Sequence, residues 1–375
     1  MKFQGRLPRI RAVATANPSR VVRQPEALAL AGYTDERRRG FFLNADVETR
    51  YLYLGENFRP GETVDELTAR YQKGVVEIGS AAARRVLQDA DVPVGQVDFL
   101  ATTSCTGRMC PDLDAALIRS LDLRRTTQRA HIGNTGCASA MVALQQAARF
   151  VIAHPGTTAL AVASEICSAT YYLDDSLECA VAHAIFGDGA GAVVVTDSGP
   201  GAEILGFTTN WSPEHWDKMG YHFLGGYARI NLSKEVRHIG GPILRDLGAE
   251  MLKEQALTKE SIAHWVLHSG GRRVVESAQS LLGLPDDAVA PTRAVLRRYG
   301  NMSSATVLFV LKEVWETRKP KAGDHGLMAA SAPASPPRVR CCGGPHESPS
   351  SCARPTHGSS RGRLRRLPHG RQGRT

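Results

Sequence analysis

A cysteine, a histidine and an asparagine stand at comparable places in this sequence, each where an apolar segment or a glycine gives way to a helical pattern. Cys137 follows Gly136 in GNTGCASAM and opens the apolar run MVALQQAARFVIA. The first turn of a helix has unpaired N–H groups and the positive end of the dipole, both of which favour a thiolate. Gly136 and Ala138 leave room beside it for an acyl group. The same pattern also suits a buried structural cysteine in a tight turn, so the local sequence leaves both readings open. His268 ends the strand pattern HWVLHSGG, a place where a lone histidine commonly makes a structural hydrogen bond. Asn301 follows Gly300 in YGNMSSATVLFVL, where an asparagine commonly only caps a helix. Together the three side chains offer a nucleophile, a proton acceptor and an amide donor at junctions where α/β proteins gather their ligands.

The elements that must position them alternate between strand-length apolar runs and longer segments of helical period, which predicts an α/β sheet protein. VDFLATTSC reads as a strand and DLDAALIRSLDL as a helix. HIGNTG leads into the helix CASAMVALQQAARFVIAHP, followed by the strand TTALAVASEIC, the helix SLECAVAHAIF and the strand GAGAVVVTD. After Gly199-Pro200 the order resumes with AEILGFTTN, a helix from GPILRD, the strand HWVLHSGG, the helix RRVVESAQSLLGL, a last long helix SSATVLFVLKEVWETRK and a strand start GDHGLMAA. We therefore expect two related halves sharing a core, residues 1–200 with the cysteine and residues 201–330 with the histidine and asparagine.

Composition narrows the function. With 375 residues, 42% hydrophobic and 22% charged, the body is that of an ordinary globular protein. No apolar run of about 18 residues is apparent and MKFQGRLPRI lacks a signal peptide's apolar segment, so the reading is a cytoplasmic protein that does not cross a membrane. The net charge of +9 sits in the tail: residues 331–375 hold nine Arg, no Lys and Glu347 as the one acid, leaving about +1 for the rest. The body thus gives no signal for specific nucleic-acid binding. None of the eight cysteines forms a CxxC pair, and their spacing suggests no metal site.

GNTGCASAM, SEICSATYY, AIFGDGAGAVVV, LHSGG and YGNMSSA resemble the signature segments of type III polyketide synthases, relatives of chalcone synthase, over residues 8 to 330. FFLNADVETRYLYL and the serine of HSGG look closer to bacterial members, including the dihydroxyphenylacetyl-CoA synthase type. The resemblance implies a thiolase-like fold with layers α-β-α-β-α and a homodimer that uses malonyl-CoA and an acyl-CoA starter, with no cofactor. It implies that Cys137 carries the acyl group as a thioester, that His268 helps hold the sulfur as thiolate, and that His268 and Asn301 donate to the malonyl thioester oxygen. By the same resemblance Phe186 stands between a CoA tunnel and an inner cavity, and Glu165, Cys167, Thr170 and Ser303 line that cavity. Glu165 equally suits a polar group satisfied within a turn. Ile230 takes the place of a second aromatic gate, and Cys105 and Cys110 fall in the segment that reaches towards the partner's cavity. The basic residues that plant relatives carry before RYxYL are not matched. A ketoacyl-acyl-carrier-protein synthase III shares the Cys, His and Asn set; a non-catalytic acyl-CoA binder and a cysteine hydrolase are further alternatives.

After Ala330 the family's ending is lost. Residues 331–375, which begin SAPASPPRVRCCGG, have no period and a Pro-, Ser- and Arg-rich composition that predicts disorder. GC-rich codons for SAPASPPRVRCCGG, read one nucleotide out of register, spell Leu-Gly-Pro-Gly-Phe-Ala-Ala-Glu-Gly-Ala-Leu-Leu-Arg-Trp. That is the family's Gly-Pro-Gly loop and final strand, so the tail reads as out-of-frame translation.

Overall fold

Strand runs such as TALAVASE and GAGAVVVT are buried along their whole length, which requires helices on both faces of their sheet. The computed structural model describes residues 3, 6–55, 58, 61–170, 176–210, 212–332 and 335–343. The chain opens with β1 (Arg9–Ala16), β2 (Val21–Arg23), α1 (Gln24–Ala31), α2 (Glu36–Leu43) and β3 (Thr49–Tyr51). The long α3 (Val64–Asp89) starts at a capping box in which Thr63 and Glu66 satisfy each other's backbone N–H groups. Then come β4 (Phe99–Ser104), α4 (Leu113–Leu121), β5 (Gln128–Gly133), α5 (Ser139–Ala153), β6 (Thr158–Glu165), α6 (Leu177–Ile185) and β7 (Gly189–Thr196). The remainder is β8 (Ala202–Ile204), β9 (Thr208–Thr209), the hairpin β10 (Met219–Leu224) and β11 (Tyr227–Leu232), α7 (Val236–Gln255), β12 (Ile262–Leu267), α8 (Arg272–Leu282), α9 (Asp286–Tyr299), α10 (Thr306–Arg318), β13 (His325–Ala332) and β14 (Ser335–Gly343).

Among the described residues ten strands form one sheet in the order β12-β13-β14-β8-β1-β7-β6-β4-β5, with β9 on β14. The arms meet at α10, which packs on β1 and β7 from one side and on β12 and β13 from the other. Beside it α5 lies on β4, β6 and β7. The inner core joins Leu144 of α5 and Leu308 of α10 to Val193 and Met328 from the two arms. Outside, Val75, Ile78 and Leu117 of α3 and α4 cover β4, β6 and β7, while Leu244, Leu247 and Val275 of α7 and α8 cover β12 and β13. The result is α-β-α-β-α.

Four expectations are corrected. Gly136–Ala153, with mean hydropathy 1.2, is long and apolar enough by composition to cross a membrane. It is 67% buried because α5 is enclosed by the sheet, and a helix covered on most sides must be apolar around its circumference. The helix read from GPILRD begins earlier, at Val236, so Pro242 lies inside α7. β5, the β10–β11 hairpin, α3 and α9 were not anticipated. Finally, the tail read as disordered contributes β14, paired to β13 along most of its length and to β8 and β9. Sheet neighbours on both sides need partners for their backbone groups, and tertiary pairing overrides the weak local signal. Pro336 and Pro337 fall opposite the irregularity between Ala330 and Ala332, a place in a sheet where proline is tolerated. The other tail residues, 333–334 and 344–375, lie outside the described residues.

Candidate active site

Both inner helices begin with a 3₁₀ turn, Gly136–Ala138 before α5 and Ser303–Ala305 before α10, and the two turns touch. That contact brings distant parts of the sequence together: Cys137 Sγ lies 3.8 Å from Ser303 Oγ. Asn301, just before the second turn, is fixed at every polar atom. Its N–H donates to Ile185 O at 2.8 Å and its carbonyl accepts from Gly187 N–H at 3.0 Å, bridging it to Phe186. Its side-chain Oδ1 accepts from Ser303 N–H at 2.9 Å and Thr306 Oγ1 at 3.2 Å, and Nδ2 donates to Gly270 O at 3.3 Å. These bonds hold Ser303 at φ 49°, a strained value for a residue with a side chain. His268 follows β12, and its N–H donates to Ala329 O of β13 at 2.8 Å.

Cys137, His268, Asn301 and Phe186 line one cavity of about 790 Å³. Its other walls are largely apolar, with Phe41 from α2, Val181 and Ile185 from α6, and Leu232 at the end of β11. Burial dominates the electrostatics. Cys137 is 3% and His268 4% exposed. Burial pushes the Cys137 thiol up to about 12, with Ser303 partly offsetting it, and pushes the His268 imidazole down to about 4. The resting site thus favours a neutral thiol and a neutral imidazole, not the standing thiolate that the helix terminus suggested, because desolvating a charge there outweighs the nearby dipole. His268 Nδ1 is buried without a hydrogen-bond partner among the described residues.

The remaining expected positions do not line this cavity. Cys105, Glu165 and Ser303 form a buried network beside Cys137. Glu165 accepts from Cys105 N–H at 3.0 Å, Cys105 Sγ at 3.3 Å, Thr106 Oγ1 at 2.8 Å and the Ser304 hydroxyl, and Ser303 Oγ lies 2.9 Å from Cys105 Sγ. Burial raises the Glu165 carboxyl above its ordinary range despite these donors. Cys167 packs with Phe186 and Ile230 behind the cavity wall, and Thr170 Oγ1 donates to Cys167 O at 2.8 Å. Cys110 is exposed, whereas Cys105, Cys137, Cys167 and Cys179 are buried.

Sequence reasoning missed several residues. Tyr221 of β10 brings its hydroxyl among Cys105, Cys167 and Glu165, where burial and those groups push it well above its usual value. The hairpin that carries it has no sequence signature near the cysteine. Arg37, Lys234, Arg272 and Arg273 line the cavity. Arg37, Lys234 and Arg273 are exposed, so they stand where the cavity opens to solvent. The Arg pair after LHSGG was the available signal, but it reads equally as the polar start of a helix.

Residues 37–200 match the family model for chalcone and stilbene synthases, N-terminal domain, and residues 252–333 match that for the C-terminal part of 3-oxoacyl-[acyl-carrier-protein] synthase III. The chain is 32% identical over 343 residues to the 3,5-dihydroxyphenylacetyl-CoA synthase of Streptomyces toyocaensis, covering 88% of each. It is 29% identical over 335 residues to the 1,3,6,8-tetrahydroxynaphthalene synthase of Streptomyces coelicolor, covering 84% of this chain and 87% of that one. Among solved structures, PKS-I from the brown alga Ectocarpus siliculosus aligns with a TM-score of 0.85 at 27% identity, over 92% of this chain and 100% of that one. The Streptomyces coelicolor tetrahydroxynaphthalene synthase aligns with a TM-score of 0.82 at 26% identity, over 89% and 99%.

Proposed function

From the premise that this chain belongs to the type III polyketide synthases, acyltransferases of thiolase-like fold, we propose that Cys137, His268 and Asn301 extend a Cys137-bound acyl group with malonyl-CoA. The observation that carries this reading is the single cavity: the three side chains line it together, beneath an opening set with Arg37, Lys234 and Arg273. Cationic side chains at the mouth suit the phosphates of CoA, and the apolar walls suit its arm and an acyl chain.

In the first step Cys137 Sγ attacks the acyl-CoA thioester while its proton passes to His268, and the CoA thiolate leaves and takes up a proton. Both groups start neutral, so the charge pair forms in the act of attack. Malonyl-CoA then places its thioester oxygen before His268 and Asn301. As carbon dioxide departs, the electron pair of the broken bond moves into an enolate, whose oxygen accepts both hydrogen bonds. The enolate carbon attacks the Cys137 thioester, a carbon–carbon bond forms and the sulfur is released. Repetition and ring closure would give an aromatic or pyrone product. The CoA thioesters are substrates, and the steps call for no redox carrier or metal. We propose a homodimer as the working form, with Cys105 and Cys110 on the segment facing the partner.

The C-terminal match to a 3-oxoacyl-carrier-protein synthase III supports a second reading, in which the extender arrives on a carrier protein. One assay tests both. Malonyl-CoA with a panel of acyl-CoA starters should yield polyketide products without any carrier protein, and a strict requirement for malonyl carrier protein would replace the first reading by the second.

A further inference from the structure

Arg50 of β3 has no exposed surface, yet it touches neither the cavity nor Cys137. Its guanidinium gathers the carbonyls that end α6. Nη1 donates to His183 O at 2.6 Å and Phe186 O at 3.0 Å, and Nη2 donates to Ala184 O at 2.5 Å and to the Gln24 side-chain oxygen. Gln24 in turn donates to Ala184 O at 2.9 Å and Phe42 O at 3.0 Å. The final carbonyls of a helix lack partners within it, and a rigid guanidinium fork satisfies several at once while countering the negative end of the dipole.

The segment leaving α6 is clasped to the loop that carries Asn301. Ile185 O accepts from Asn301 N–H, and Gly187 N–H donates to Asn301 O. The two backbones are so close that a Cβ at Gly187 would lie 2.5 Å from Tyr299 O, and one at Gly300 would lie 2.5 Å from Ile185 O. Neither segment moves without the other. Resting on the function proposed above, we infer that Arg50 is a positioning residue: by fixing the end of α6 through Phe186 it sets the place of the Asn301 amide, and with it the decarboxylation step.

The test uses the full chain and Arg50→Lys, which keeps a cation but loses the fork. Amide hydrogen exchange should quicken by about tenfold or more in peptides spanning 183–188 and 299–303, with those of α3 and β6 unchanged. Unchanged exchange in both peptides, or an equal rise throughout the chain, overturns the inference. In parallel, Arg50→Lys should slow malonyl-CoA decarboxylation about tenfold in the parent chain and leave it nearly unaffected in an Asn301→Ala background, since the two residues act through one amide. Equal slowing in both backgrounds also overturns it. Absence of decarboxylation in the parent would count against the proposed function alone, and the exchange result would then decide the role of Arg50. If Arg50→Lys does not fold, Gln24→Met removes one guanidinium acceptor and the Nε2 donor to Ala184 O and Phe42 O, and the same local exchange is expected.

Discussion

Replacing Asn301 by aspartate separates the chemistry of its side chain from its part in holding the turn. Asn301 Oδ1 accepts from Ser303 N–H at 2.9 Å and Thr306 Oγ1 at 3.2 Å, which leaves the NH₂ group as the half that faces Gly270 O and the cavity. Aspartate keeps an oxygen for both donors, so the turn before α10 should stand. Alanine would leave those two buried donors without an acceptor, at about 1–3 kcal/mol each. What aspartate removes is the Nδ2 donor, which bonds Gly270 O at 3.3 Å and in the proposed mechanism also serves the thioester oxygen, and it adds negative charge where the enolate charge would develop. Loss of one such donor costs about 2.7–4 kcal/mol of transition-state stabilisation, or about 10²–10³ in rate. Asn301→Asp should therefore cut decarboxylation of malonyl-CoA by at least about 10²-fold relative to its parent, with KM little changed and a thermal midpoint within a few degrees. The assay follows acetyl-CoA by mass spectrometry, beside a melting curve. Decarboxylation above one third of the parent rate in a folded Asn301→Asp chain would refute the assignment of this amide.

Cys137→Ala should abolish product formation and acyl-enzyme, seen by intact mass, while decarboxylation survives, because neither proposed oxyanion donor is the sulfur; loss of both activities together would contradict that division. Arg272→Gln with Arg273→Gln should raise the KM for malonyl-CoA about tenfold with kcat held within about threefold, and the parent KM should climb with ionic strength; a salt-independent KM would remove these side chains from the CoA site. Asp188, buried and accepting from Tyr53 N–H at 2.6 Å and from Ser168, is raised by burial to about 6. The folded chain thus holds an extra proton between about 3.8 and 6, so urea unfolding should show Asp188→Asn gaining about 3 kcal/mol on its parent as pH rises through that window; a constant difference would mean the carboxyl is not raised. A chain whose ending is rebuilt as Leu-Gly-Pro-Gly-Phe-Ala-Ala-Glu-Gly-Ala-Leu-Leu-Arg-Trp after Ala330 regains the Gly-Pro-Gly loop that the family resemblance calls for and should turn over malonyl-CoA faster than the chain as it stands, about 10²-fold if that loop supplies one oxyanion donor; equal turnover by the two would sink the out-of-frame reading of the tail.

The parts legible in the sequence are those whose signal is local. Cys137, His268 and Asn301 each stand at a junction before a helical pattern, and that shared placement was enough to suggest one site. The buried β6 and β7 are continuous apolar runs that only an α/β layer can cover. Arg50 was not legible, because its partners are backbone carbonyls more than 130 positions away, and a carbonyl leaves no mark on sequence. Tyr221 was hidden for a related reason: in sequence the hairpin that carries it reads like any exposed two-stranded loop. The placement of Cys105, Glu165 and Ser303 was legible only as a neighbourhood, since hydrogen bonding among them, and not residue type, decides whether they face open space or one another.

β14 shows the opposite limit. Local composition from Ser331 onwards argues against a strand, with two adjacent prolines and three arginines or serines among its nine positions and none of the usual alternation. The sheet nevertheless has a place for it, because β13 and β8 would each otherwise present a row of backbone groups without partners. The register then sets Arg340 opposite Met328 and Arg338 opposite Ala330, whereas Met328 and Ala330 belong to the inner core shared with α5 and α10. A strand position chosen by backbone pairing and a local composition that argues against a strand are in conflict. We propose that this ending is out of frame: the rebuilt ending has alanine at position 340 in place of Arg340, so it should unfold at a higher urea concentration as well as turn over faster. An unchanged midpoint would count against the out-of-frame reading of the tail.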